Sequence, residues 1–162
     1  MNEKVRDALN AQIGRELQAE HIYLAMSIWF EREDLPGFAG WLRAQAAEER
    51  EHAFRIMKHL EDRDARVELD GLEKPTADFE SPLAAMKTAL QHEKKVTGHI
   101  DDLYSLARGE GDHPAEVMLQ WFVDEQVEEE KTFGLIVGQL ERIGDSGAGL
   151  MVLDRDLGSS GG

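Results

Sequence analysis

Only four prolines, at positions 36, 75, 82 and 114, interrupt a chain of 162 residues. Between them the apolar residues recur at steps of three and four, never in sustained alternation. That pattern predicts an all-α protein made of a few long amphipathic helices. The spacing places helices over about residues 2–32, 36–63, 82–108 and 114–143, followed by a short helix over about 147–157 and a fraying tail over 158–162. "DLPGF" makes the first turn, Ser81-Pro82 supplies an N-cap with a first-turn proline, and "GEGDHP" and "GDSGAG" supply the remaining breaks. A chain of this length sustains one core, so residues 1–162 read as a single domain.

One connection is out of scale. "DARVELDGLEKPTADFES" separates the second and third helices, which is long for a compact bundle. A helix of about 27 residues is about 40 Å long, and eighteen extended residues reach about 60 Å, so this segment spans a whole bundle. The second and third helices are therefore expected to run parallel. One long crossover between two short-looped hairpins is the connectivity of a ferritin-like bundle.

The inward stripes contain residues that do not belong in an apolar core. The first helix reads Val5, Leu9, Gln12, Glu16, Tyr23, Phe30, and the second reads Phe38, Leu42, Gln45, Glu49, His52, Ile56, Leu60. The third reads Leu83, Met86, Leu90, Glu93, Val96, Ile100, Leu103, and the fourth Met118, Phe122, Glu125, Glu129, Phe133, Ile136, Leu140. Every long helix thus carries an acid near its middle. A carboxylate in an apolar interior costs several kcal/mol unless it is paired or neutralised. The stripes contain no matching lysines or arginines. Four glutamates, Glu16, Glu49, Glu93 and Glu129, carry the charge that two divalent cations neutralise, so a dinuclear metal site is expected.

The chain also repeats itself. A shift of 77 positions carries Glu16 to Glu93, Glu48 to Glu125, Glu49 to Gln126, Glu51 to Glu128 and His52 to Glu129. Each half offers one glutamate from its first helix and an i, i+3 pair from its second, which is the ligand layout of carboxylate-bridged di-metal bundles. In the second half the pair is Gln126 and Glu129. Neutral Gln126 is a poor bridge, so Glu49 is expected to be the one carboxylate that spans both metals.

Composition narrows the alternatives. With 18 basic against 33 acidic residues the formal charge is -15, which argues against nucleic acid and anionic membranes as partners and favours cations. There is no cysteine, so thiolate metal sites, iron–sulfur clusters and disulfides are excluded. No apolar run is long enough for a membrane span and no secretory h-region is evident, so a cytoplasmic protein is expected.

The stretches "IGRELQAEHIY", "AAEEREHAF", "QHEKKV" and "LQWFVDEQVEEEKTF" together resemble those of prokaryotic non-haem ferritins, over essentially the whole chain. The resemblance implies a ferroxidase that oxidises Fe(II) with O2 or H2O2 and stores ferric oxide mineral inside a 24-subunit shell. It places the first iron on Glu16, Glu49 and His52, and the second on Glu49, Glu93 and Glu129 with Gln126 close by. It places a third iron on Glu48, Glu125, Glu128 and Glu129. Tyr23 matches the tyrosine beside the family's di-iron centre, as electron donor or hydrogen-bond donor, and Trp121 is a second redox candidate. Glu116 matches a pore position, and Glu51 reads as solvated. Haem is not expected, because Arg50 stands where bacterioferritins carry the haem-ligating methionine and Glu129 replaces their second histidine. The competing readings are a bundle stabilised by a redox-inactive metal and a rubrerythrin-like peroxidase; the missing cysteines weigh against the latter.

Overall fold

A computed structural model describes residues 1–160 and contains five helices: α1 (Glu3–Arg32), α2 (Pro36–Glu61), α3 (Pro82–Gly109), α4 (His113–Ile143) and α5 (Gly147–Ser160). The four long helices begin and end within about two residues of the expected positions. The last helix extends past residue 157 to Ser160, so residues 158–160 of the expected tail are helical; 161–162 lie outside the described residues.

The caps explain the boundaries. Asn2 accepts from the backbone N–H groups of Lys4 and Val5 at the start of α1, Ser81 from Ala84 at the start of α3, and Asp112 from Ala115 at the start of α4. Helices α1, α2 and α3 end alike: Leu35 N–H donates to Phe30 O, Ala65 to Leu60 O and Asp112 to Ala107 O. The residue preceding each of these donors, Asp34, Asp64 or Gly111, is left-handed, with φ 59, 52 and 69°. This closure stops α2 at Glu61, two residues before the sequence pattern fades. The N-terminus of α2 has no cap of its own. Asp154 of α5 supplies one from 116 residues away, its Oδ1 accepting from Phe38 N–H at 2.9 Å. Gly37 permits this, since a Cβ there would lie 1.7 Å from the backbone oxygen of Asp154.

Cross-helix contacts fix the directions. Ser27 meets Arg43 and Glu16 meets His52, so α1 and α2 are antiparallel. Asn2 meets Glu110 and Tyr23 meets Glu93, so α3 is also antiparallel to α1 and hence parallel to α2. The crossover, residues 62–81, runs along α1. Asn10 bonds both the carbonyl of Arg66 (3.0 Å) and the N–H of Glu68 (2.8 Å), Gln18 bonds both backbone groups of Glu73, and Arg32 pairs with Asp78. Two side-chain amides thus do for the crossover what a neighbouring strand does in a sheet.

The apolar interior is divided. One cluster holds Tyr23, Met26, Phe30, Phe38, Trp41 and Phe133, and α5 adds Leu153 and Leu157 to it. The other is largely aliphatic, with Val5, Leu9, Ile13, Ile56, Leu60, Ile100 and Leu119. Between them lies a layer of buried polar side chains. No described helix is long and apolar enough to cross a membrane.

Candidate metal centre

The polar layer consists of Glu16 (1% exposed) from α1, Glu49 and His52 from α2, Glu93 (0%) from α3, and Gln126 and Glu129 from α4. Each lies on its helix's buried line because the apolar residues a turn either side hold that line to the core. Glu16, Glu49 and His52 come together with ligand atoms within 4.8 Å of one another. His52 Nδ1 lies 3.3 Å from Glu49 Oε2 and 3.5 Å from Glu16 Oε2.

On the other side Glu93 is held at both oxygens. Tyr23 donates its hydroxyl to Oε1, and Gln126 Nε2 donates to Oε2 at 3.1 Å. Gln126 therefore faces Glu93 with its nitrogen. Tyr23 itself is fully buried, stacked at 5.5 Å on Phe133 and edge-on to His92 at 5.9 Å. Burial and the neighbouring Glu93 push its phenol well above the usual range, so it remains a donor.

The acids are not equivalent. Burial would raise Glu16, but His52, Glu49 and Gln12 outweigh it and hold its carboxyl below the usual range. Burial and repulsion from Glu16 and Glu93 push Glu49 well above that range despite His52. Burial also raises Glu93 against the bonds from Tyr23 and Gln126. Glu129 reaches about 8 through burial and the charges of Glu93 and Glu48. His52 is pulled down by burial and pushed up further by Glu16 and Glu49, to about 11. One cationic imidazole thus faces four buried carboxyl groups. Buried Glu16 Oε2 and Glu129 Oε2 have no hydrogen-bond partner. Buried carboxylate oxygens with an imidazole among them are a donor set that suits a hard or borderline divalent cation.

A second group, Glu48, Glu125 and Glu129, also brings its oxygens within 4.8 Å. It opens to a cleft of ≈ 330 Å³ lined by Glu48, Glu51, His52, Trp121 and Glu125. One expectation is corrected here. The buried line of α4 runs Leu119, Phe122, Gln126, Glu129, Phe133, so Gln126 is buried and Glu125 lies half-exposed on the flank. Glu128 is exposed and is not among the three whose oxygens converge. Trp121 is half-buried, its ring 5.3 Å from that of His52 and covered by the Arg55 guanidinium at 4.1 Å. Arg50 is exposed and paired with Glu20, Glu51 is exposed, and Glu116 accepts from Tyr104.

Sequence reasoning missed several polar residues around the layer. Gln12 donates to Glu16 Oε1 at 2.8 Å, Thr97 bonds Glu130 at 2.7 Å, and Gln45 Oε1 is buried without a partner. Gln12 and Gln45 were legible as stripe residues one turn before Glu16 and Glu49, but nothing marked them as part of the site.

A ferritin-like domain model matches residues 6–143. A bacterial non-heme ferritin from Staphylococcus aureus strain USA300 is 36% identical over 159 residues, covering 98% of this chain and 96% of that protein. A probable bacterial non-heme ferritin-like protein from Haemophilus influenzae is 34% identical over the same length and shares of the two chains. Among solved structures, an open-pore ferritin from the hyperthermophilic archaeon Archaeoglobus fulgidus superposes with a TM-score of 0.96 at 39% identity, covering 98% of both chains.

Proposed function

The chain belongs to the ferritin family, and from that membership we propose that it is an iron store that oxidises its own cargo. Fe(II) is the substrate. Glu16, Glu49 and His52 hold one ion, and Glu49, Glu93 and Glu129 hold the other, with Glu49 shared between them. Gln126 and Tyr23 bind to Glu93 rather than to iron. The observation that carries this reading is the polar layer itself, in which buried, partly unpartnered carboxyl groups outnumber the one cation among them.

The chemistry follows from the donor set. Carboxylate oxygens and one imidazole leave coordination positions open, so O2 or H2O2 can reach both ions and take one electron from each. Binding displaces the proton that Glu129 holds up to about 8, which couples loading of iron to proton release. Glu48 and Glu125 line the cleft beside Trp121 and, with the buried Glu129, offer the oxidised ion a third position. The mineral then forms inside a shell of 24 subunits; a closed shell is what makes an acidic chain a container rather than a surface.

Aerobic addition of Fe(II) to metal-free protein tests this directly. Oxidation well above the buffer rate, by a particle that light scattering sizes at about 24 subunits, is the expected result. A monomer or dimer with the buffer rate overturns it.

A further inference from the structure

Two of the buried glutamates, one from each half of the centre, are gripped by glutamines, and each glutamine is held in turn from nearer the surface, one by Arg15 and the other by Thr97 with Glu130 behind it. Gln12 Nε2 donates to Glu16 Oε1 at 2.8 Å while its own Oε1 accepts from Arg15 Nη1 at 3.2 Å. Gln126 Nε2 faces three acceptors: Glu93 Oε2 at 3.1 Å, the Glu93 carbonyl at 3.2 Å and Thr97 Oγ1 at 3.2 Å. Thr97 has one proton and two acceptors in reach, the Glu93 carbonyl at 3.1 Å and Glu130 Oε2 at 2.7 Å. The closer, carboxylate partner takes the proton, because charge-assisted bonds are the stronger ones. A lone pair of Oγ1 is then left for Gln126.

An amide presents a donor at one end and an acceptor at the other. Pinning one end therefore decides what the other end shows the metal site. Arg15 claims the oxygen of Gln12, so only its NH2 can face Glu16. Thr97, itself oriented by Glu130, claims a hydrogen of Gln126, so its NH2 stays on Glu93. Glu16 Oε1 is thereby occupied, and its buried Oε2, without a hydrogen-bond partner and 3.5 Å from His52 Nδ1, is the oxygen left to face a ligand.

We propose that Gln12 with Arg15, and Thr97 with Glu130 acting through Gln126, are two separate positioning systems, one for each metal position. Arg15 is exposed and Glu130 half-buried, so each position is tuned from outside the core. The inference rests on the reading that Glu16 and Glu93 ligate metal. It assigns a role to residues that contact no metal, and partners of this kind set ligand orientation and metal affinity.

Anaerobic Co(II) titration of the metal-free protein separates the two positions, because an ion bound to His52 absorbs differently from one in an all-oxygen site. Gln12→Leu is expected to weaken the histidine-bound position about tenfold, and Arg15→Met about threefold, with the other position unchanged. Thr97→Val and Glu130→Gln are expected to weaken the all-oxygen position about three- to tenfold and leave the histidine-bound spectrum alone, and Thr97→Ser is expected to restore it. The exposed Arg15→Met and the conservative Thr97→Ser keep the test open if Gln12→Leu fails to fold. Wild-type protein that binds fewer than two Co(II) per subunit overturns the parent reading. Two Co(II) in the wild type, with variant affinities unchanged or both positions weakened equally, overturns the positioning inference alone.

Discussion

The two halves of the candidate metal centre sit 77 residues apart in the chain on equivalent helix pairs, yet they handle buried charge in different ways. In the α1/α2 half, His52 stands between Glu16 and Glu49 and supplies a cation of its own. In the α3/α4 half, the equivalent of His52 is Glu129, whose Oε2 is buried without a partner, and the equivalent of Glu49 is Gln126, which serves Glu93 as a donor. The first half carries a counter-charge of its own; in the second, burial and mutual repulsion raise Glu93 and Glu129 instead. On the proposed reading, a repeated backbone frame gives two metal positions of unlike make-up, joined through Glu49.

Removing the shared residue should erase the difference between the halves. Glu49→Ala is expected to slow the fast phase of Fe(II) oxidation by at least about 100-fold in stopped-flow absorbance, since even residues that only support ligands cost about 10–100-fold. A variant that keeps a fast phase would mean one half suffices.

The pH dependence of loading sharpens the comparison. Glu129 holds its proton up to about 8, so its position competes with protons throughout the neutral range. Zn(II) affinity at the second position is expected to rise by up to about tenfold per pH unit from pH 6 to 8 for each proton displaced. Glu129→Gln should flatten that slope, and a slope unchanged in the variant would place the competing proton elsewhere.

Without metal, the two halves should respond to mutation with opposite signs. A folded-state value raised to about 8 means that the stability linked to Glu129 is present below its ordinary 4.5 and lost as pH climbs to 8. Glu129→Gln is therefore expected to raise the melting temperature of metal-free protein at pH 8.5 and to have little effect at pH 4.5. His52 is raised to about 11, so its contribution is present below 6.5 and fades only as pH approaches 11. His52→Ala should lower the melting temperature at pH 7, because it strands Glu16 and Glu49. Shifts of the same sign in the two variants would break the contrast. The smallest effect belongs to Glu128→Ala, expected to change the oxidation rate less than about twofold because that side chain is exposed.

The sequence carried much of this arrangement, for a physical reason: buried acids on a 3.6-residue stripe are costly enough to be conspicuous. Glu16, Glu49, His52, Glu93 and Glu129 all lie where their stripes put them. The α4 stripe was drawn one residue off at two places, taking Met118 and Glu125 for Leu119 and Gln126. Both members of each pair suit a buried flank, and only the facing helix decides between them. Gln12, Thr97 and Glu130 escaped notice because their roles lie in bond direction, which depends on what the neighbouring helix offers. Asp154 capping α2 was equally invisible, since the two groups are 116 residues apart.

The central claim is that Glu49 bridges two metal positions of unlike make-up. Crystals soaked anaerobically with Fe(II) and measured at the iron absorption edge test it most directly. The account predicts two anomalous peaks per subunit, one beside His52 and one beside Glu129, with the Glu49 carboxylate between them. A single peak, or two peaks of which Glu49 touches only one, would contradict it.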